Sequence, residues 1–185
     1  HGIAAIHKGT GNGSWDCAQI RINEDASSYC LLMSVIEQGQ GANTVMAQMA
    51  ADAMGIDVSQ IYVVPPDTDT TPFDAGTTGS RATFCQGNTI IAAAEDFKRQ
   101  LRQLGSAFLN CQPELVEFDL RTPRGKIWVR GREDESKTIY ALIRSCHEGR
   151  GGIIIGEGHF KAKGVNQDRE TGQTPVITPF WMYAV

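Results

Sequence analysis

A chain of 185 residues with 41% hydrophobic and 21% charged side chains can bury one real core and is too apolar to be disordered over long stretches. Its formal net charge of -4 excludes a broad nucleic-acid-binding face, which needs clustered Lys and Arg, and no apolar run reaches the roughly 18 residues that a membrane span requires. The five cysteines (Cys17, Cys30, Cys85, Cys111, Cys146) show no Cys-x-x-Cys spacing, so they read as reduced, buried, inert thiols in a cytoplasm-like compartment.

His1 to Lys8 lacks the basic-then-apolar build of a secretory signal and looks like a chain cut at a strand, with Ile3 to His7 as the strand candidate. Gly9-Thr10-Gly11-Asn12-Gly13-Ser14 is a turn-rich break without the Gly-x-Gly-x-x-Gly order of a dinucleotide fold. Cys17 to Ile22 and Ser28 to Ile36 read as two strands joined by a polar turn, the second apolar enough to be buried on both faces. A helix follows Glu37-Gln38-Gly39-Gln40-Gly41 and runs to about Met54. Val45, Met49 and Ala53 share one of its faces, Met46, Ala50 and Met54 lie beside them, and Gly55 is the stop. Ile61 to Val64 is a strand closed by two prolines. A long Gly- and Thr-rich loop, Asp67 to Thr83, precedes a second helix from about Phe84 to Leu104 or beyond, in which Ile90, Ala94, Phe97, Leu101, Leu104 and Phe108 recur at helical spacing. Leu115 to Leu120 and Lys126 to Val129 suggest a hairpin around Thr122-Pro123-Arg124-Gly125. Ser136 to His147 suggests a third helix ended by Gly149-Arg150-Gly151-Gly152, and Ile153 to Ile155 another strand. The last thirty residues, with Pro175, Pro179 and Phe180-Trp181-Met182-Tyr183, read as an extended tail. Strands grouped ahead of helices predict an α+β fold: a two-layer mixed sheet with helices packed on one face.

Two segments carry chemistry. In Gly39-Gln40-Gly41, at a strand-to-helix junction, the glycines allow positive φ and close approach of a ligand. The helix start beyond offers unpaired amides, and Gln40 can donate and accept at once. A tight turn with a helix cap explains the same residues. In Gly79-Ser80-Arg81-Ala82-Thr83, the Ser80 and Thr83 hydroxyls can bind phosphate oxygens and Arg81 can pair with an anion, although Ser80 or Thr83 could equally be an N-cap. Two glycine-rich helix starts in one acidic domain are what a bulky anionic cofactor needs.

The stretch from Glu37 to about Ala94 resembles the second cofactor-binding region of the xanthine dehydrogenase and aldehyde oxidase family of molybdenum hydroxylases. The matching features, in order, are Glu37-Gln38-Gly39-Gln40-Gly41, a helix, Ile61-Tyr62-Val63-Val64, Asp67-Thr68-Asp69-Thr70-Thr71-Pro72, Gly76-Thr77-Thr78-Gly79-Ser80-Arg81-Ala82-Thr83, and the small-residue helix after Gly87-Asn88. The flanks follow the family more loosely. The resemblance implies that the chain is one partial molybdopterin-binding domain, 1–185, with its best-matching core at 37–94. It implies that Gly39, Gln40 and Gly41 sit at the pterin. Gly79, Ser80, Arg81 and Thr83 would sit beside the dithiolene, the phosphates and, in many bacterial members, an attached cytosine nucleotide. Gly79 would lie closest to the metal's substrate side, and Ala82 stands where relatives often carry serine.

The resemblance also implies an oxidoreductase that hydroxylates N-heterocycles or aldehydes with oxygen from water. A glutamate acts as base, and electrons leave through the pterin to iron–sulfur centres on partner domains or subunits that also carry FAD. Catalytic and metal-ligating residues are not expected in this chain. The family's glutamate lies near the end of the subunit, so Gly156-Glu157-Gly158 reads as an ordinary strand or loop. The earlier Gly-Gly-x-Phe-Gly-Gly element and the later pterin-contacting glutamine are missing. His1, His7, His147 and His159 are too scattered for a metal set, and Trp15, Trp128 and Trp181 read as core or interface aromatics. The expected partners are the remaining lobes and the iron–sulfur and flavin subunits, with no nucleic acid and no membrane. The isolated chain is expected to be inactive and to bind cofactor poorly. The competing readings are a non-catalytic assembly module that uses the apolar tail Phe180 to Val185, and an unrelated phosphate-binding domain.

Overall fold

The computed structural model describes residues 2–9, 15–149, 153–162, 168–173 and 179–184. The break at 10–14, the helix-ending glycines at 151–152, and His1, Pro175 and Val185 lie outside the described residues.

The centre is a four-stranded mixed sheet made of β2 (Trp15–Ile22), β3 (Tyr29–Leu32), β4 (Ile61–Val63) and β8 (Ile155–Lys161), ordered β4-β3-β2-β8. β1 (Ala4–Gly9) pairs antiparallel with β9 (Pro179–Ala184), so the expected extended tail closes a two-stranded ribbon with the first strand. β5 (Val116–Asp119), β6 (Lys126–Val129) and β7 (Lys137–Thr138) form a small antiparallel sheet. Helix α1 (Ala42–Met54) connects β3 to β4. A π-helical turn, Ala82–Gln86, runs into α2 (Gly87–Leu109), and α3 (Ile139–Gly149) follows β7. The α+β class with helices on one face of a mixed sheet is therefore what the chain forms.

Period-two alternation decides which face of β2 is covered: Asp16, Ala18, Ile20 and Ile22 are buried, while Trp15, Cys17, Gln19 and Arg21 are more open. On β3, Tyr29, Cys30 and Leu31 are buried. Beyond them Met33 and Val35 are buried and Ile36 is exposed, so the far end of the run alternates instead of being covered on both faces. On α1 the buried stripe is Met46, Ala50 and Met54, with Val45, Met49 and Ala53 on its flank. Gly55 ends the helix left-handed at φ 75°, its N–H donating to the Ala51 and Asp52 carbonyls. On α2 the predicted stripe Ile90, Ala94, Phe97 and Leu101 is fully covered, and Phe97 meets Tyr29 edge-on at 5.7 Å.

β8 was legible only as the three residues Ile153 to Ile155; it starts at Ile155 and runs on to Lys161. Its glycines are the reason. Gly156 and Gly158 face α2, and a Cβ at Gly158 would stand 1.9 Å from the Thr89 carbonyl oxygen and 2.5 Å from the Ala93 nitrogen. Helix and strand touch backbone to backbone at Gly156 and Gly158, which leaves Phe160 as the strand's one apolar side chain on that face, too little for an alternating pattern. The helix also covers the free edge of β8: Asp96 Oδ2 accepts from the Glu157 amide at 3.0 Å, and Gln100 Nε2 donates to the Ile155 carbonyl at 2.6 Å. Glu157 itself is exposed and accepts a hydrogen bond from Gln19 at 2.9 Å, an ordinary cross-strand pair.

Gly158→Ala is expected to destabilise the chain by about 3 kcal/mol or more, because rigid backbone must move to admit one methyl group. Gly2→Ala, with nothing within 4 Å, is expected to be neutral. Urea unfolding of the two variants checks this, and equal midpoints would contradict the close approach.

Candidate functional site

β3 and β4 run parallel, and β2 pairs antiparallel with both β3 and β8, so β8 runs the same way as β3. The C-terminal ends of β3, β4 and β8 and the N-terminal end of β2 therefore share one end of the sheet. The chain leaves β3 there for the first glycine turn and leaves β4 there for the long loop to the second. This is where open sheets containing parallel strands commonly place ligands. The loops are bonded to each other: the Ile36 amide donates to Thr77 Oγ1 at 2.8 Å, and Ser34 Oγ donates to the Pro72 carbonyl at 2.6 Å. The structure thus brings the Gly39–Gly41 and Gly79–Thr83 segments to the same end of the molecule.

The first turn is organised by a residue that motif reading left without a role. The Glu37 carboxylate accepts from the amides of Gly39 (2.8 Å), Gly41 (3.0 Å) and Asn43 (3.1 Å), capping α1 across the turn. Gly39 and Gly41 stand at φ 93° and 79°, which side chains with a Cβ rarely adopt. Gln40 folds back on the same turn, its Oε1 accepting from the Gln38 amide at 2.5 Å and its Nε2 donating to the Ile36 carbonyl at 3.0 Å. The expectation of open amides here is corrected: those of Gly39 and Gly41 already hold an internal anion. Asn43 Oδ1, in the first turn of α1, is buried with no hydrogen-bond partner among the described residues.

The second segment sorts its side chains inward and outward. Gly79 and Ser80 are both left-handed at φ 57°, a strained setting for serine, and Arg81 N–H closes the turn on the Thr78 carbonyl at 3.1 Å. Ser80 and Thr83 are exposed, and within the described residues their hydroxyls have no hydrogen-bond partner. Arg81 points inward and is 4% exposed. Its Nη2 donates to both carboxylate oxygens of Asp16, and its Nη1 donates to the Gly76 carbonyl at 2.6 Å and to Asp74 Oδ1 at 3.3 Å. The anions that Arg81 meets are internal carboxylates. Burial pushes the Asp74 carboxyl above its usual range and the Asp16 charge adds to this, against the pull of the Gly76 amide and Arg81. Asp16 escaped sequence reading because a single aspartate before an apolar alternation carries no motif.

Elsewhere on this end, Cys17 Sγ lies 3.2 Å from His159 Nδ1, and Trp15 is half exposed beside the same imidazole. Burial, with the charges of Asp16 and Glu157, raises the Cys17 thiol, so this pair is no activated thiolate. None of the five cysteines is in a disulfide. Cys30 and Cys85 are buried as expected, whereas Cys17, Cys111 and Cys146 are only half-buried. Among the described residues there is no cluster of three potential metal ligands, and no helix is long and apolar enough to cross a membrane.

The chain is thus a mixed-sheet α+β domain that gathers two helix-entry turns at one end. Residues 1–185 match the molybdopterin cofactor-binding domain family, and the chain belongs to that family. It is 35% identical over 147 residues to the carbon monoxide dehydrogenase large chain of Hydrogenophaga pseudoflava, covering 79% of this chain and 18% of that one. It is 30% identical over 148 residues to the xanthine dehydrogenase molybdenum-binding subunit of Escherichia coli O157:H7, covering 78% and 19%. Among solved structures it superposes on CO dehydrogenase from Oligotropha carboxidovorans with a TM-score of 0.66 and 26% identity, over 86% of this chain and 21% of that chain. Aldehyde oxidoreductase from Desulfovibrio desulfuricans gives a TM-score of 0.59 and 25% identity, over 98% and 17%. The chain thus spans about a fifth of the length of these relatives.

Amide hydrogen bonds, from Asn43 first and then Gly41, hold the Glu37 carboxyl below its ordinary range. With the folded value depressed, the cap is intact above the ordinary glutamate range and is lost as pH falls through the lowered value. In an NMR titration the amide signals of Gly39, Gly41 and Asn43 are expected to move together, with a midpoint below that of a free glutamate, and to stay still in Glu37→Gln. A midpoint at the ordinary glutamate value would refute the cap.

Proposed function

We propose that residues 1–185 form one partial molybdopterin-binding domain. In this reading the domain scaffolds the pterin and phosphates of a molybdenum cofactor, the cytosine dinucleotide form included, for an oxidoreductase that hydroxylates N-heterocycles or aldehydes with water. The observation that carries the reading is the meeting of both glycine turns at one sheet end, tied by the Ile36–Thr77 hydrogen bond. The residues fit the group chemically. Ser80 and Thr83 present unengaged hydroxyls to phosphate oxygens, at the start of a helix whose first amides lack intrahelical partners. Asn43 Oδ1 supplies an unpaired acceptor in the first turn.

The site residues are Gly39, Gln40, Gly41, Gly79, Ser80, Arg81 and Thr83, with unequal roles. Gly39 and Gly41 let backbone approach the pterin closely. Gln40 reads the pterin edge by exchanging its two internal hydrogen bonds for ones to the heterocycle. Gly79 and Ser80 shape the second turn, and Ser80 and Thr83 hold phosphate. Arg81 contributes through the loop it anchors. When bound, the molybdenum centre supplies the redox and oxygen-transfer chemistry, and this chain's part is position. The catalytic base, the iron–sulfur centres and FAD belong to partner lobes or subunits, and the assembly works in the cytoplasm.

The test is the pterin content of the chain purified with its partners, measured by the fluorescence of the oxidised pterin. The complex is expected to carry stoichiometric pterin and the chain alone little. The triple variant Gln40→Ala, Ser80→Ala, Thr83→Ala is expected to retain at least about 10-fold less, since each lost hydrogen bond is worth about 1 kcal/mol. A stable partner complex without pterin would overturn this reading in favour of an assembly module.

A further inference from the structure

We infer that Asp16, acting through Arg81, is the positioning residue that sets the geometry of the Gly79–Thr83 turn. The inference rests on the reading of that turn as a cofactor contact, but its physical basis is separate. Asp16 is 0% exposed at the start of β2, 65 residues before Arg81, and it takes the guanidinium on both carboxylate oxygens. Its Oδ1 also accepts from the Ala75 amide at 3.1 Å. The other arm of Arg81 grips the Gly76 carbonyl, and Asp74 in turn accepts from the Gly76 amide at 2.5 Å. Both flanks of the turn, Asp74–Gly76 and Arg81, are therefore bonded to one rigid strand.

This arrangement decides which way the turn's side chains face. With Arg81 drawn inward, its neighbours Ser80 and Thr83 are exposed. A direct grip of Arg81 on a phosphate would strand two buried carboxylates without their cation, a far larger penalty than one charged hydrogen bond returns. One guanidinium against two carboxylates leaves no surplus positive charge for a guest. Stability alone does not call for this arrangement either, because an apolar pair of similar volume often serves as well. What the forked, planar guanidinium adds is fixed orientation.

The experiment compares, in the full chain, Asp16→Asn, Asp16→Glu, Arg81→Lys and the triple variant Asp16→Asn/Asp74→Asn/Arg81→Met, which leaves neither buried carboxylate without a cation. Melting temperature and hydrogen exchange at the Ala75, Gly76 and Arg81 amides are measured. Asp16→Asn is expected to lower the Tm by on the order of 10 °C and to speed exchange at the three amides at least about 10-fold, leaving the core of α2 unchanged. Arg81→Lys keeps the charge, folds, and loses protection at the same amides; Asp16→Glu restores part of it. The triple variant recovers Tm but not protection. Wild-type exchange in Arg81→Lys, or protection that returns with Tm in the triple variant, overturns the inference. Pterin content of the partnered variants then separates the two claims. Content that follows loop protection and not Tm supports positioning. A wild-type complex without pterin removes the cofactor reading and leaves the clamp to be judged on exchange alone.

Discussion

The site depends on the parallel pairing of β3 with β4. Parallel neighbours need a crossover, and α1 supplies it. Once α1 carries the chain back across the sheet, β3 and β4 must end on the same side, and the segments that follow them must start together. Neither glycine turn specifies this by itself. The helix between them does, through the buried Met46, Ala50 and Met54 stripe that fixes α1 against the core. β2, running the other way, and β8, running with β3 and β4, bring Asp16 and Phe160 to the same end, where Asp16 meets Arg81 and Phe160 meets Phe84 edge-on at 5.5 Å.

Charge at that end is settled internally. The strongest cation, Arg81, is enclosed by Asp16 and Asp74, and the amides of the first turn are held by Glu37. Each arrangement trades an open donor for a rigid loop. What stays open is the hydroxyls of Ser80 and Thr83, the helix-start amides and the exposed Lys161 at the end of β8, while Gln40 is held by its own two hydrogen bonds. On the proposed reading, a guest with mixed donors and acceptors around a flat ring meets those hydroxyls and amides.

The sequence was informative where periodicity or turn chemistry dominates. Helix α2 could be read from Ile90 to Phe108, the hairpin from Thr122-Pro123-Arg124-Gly125, and the end of α1 from Gly55. It was silent where tertiary contact does the work. β8 hides behind Gly156 and Gly158, whose value lies in the side chains they lack. β9 pairs with β1 from the opposite end of the chain, a register that local pattern cannot announce. At the site, the motif residues were legible as motifs, but their division of labour was not. Arg81 looked like an anion ligand because its neighbours are hydroxylated and glycine-rich. Only the fold brings Asp16 from 65 positions away to claim it.

The remaining inventory bears on how a cofactor would be kept. Glu37, Asp67, Asp69 and Asp74 all lie on the two loops of this end, in a chain of net charge -4. On the proposed reading the guest carries phosphate, and long-range electrostatics here would repel it. Neutral hydrogen bonds each contribute only about 1 kcal/mol net when water competes for the same groups. They grow in worth when water is excluded and the local dielectric falls. Retention must therefore come from enclosure, with other protein surface closing over loops that this chain holds rigid. On that reading this chain fixes the two turns, and the covering surface is supplied by whatever packs against them.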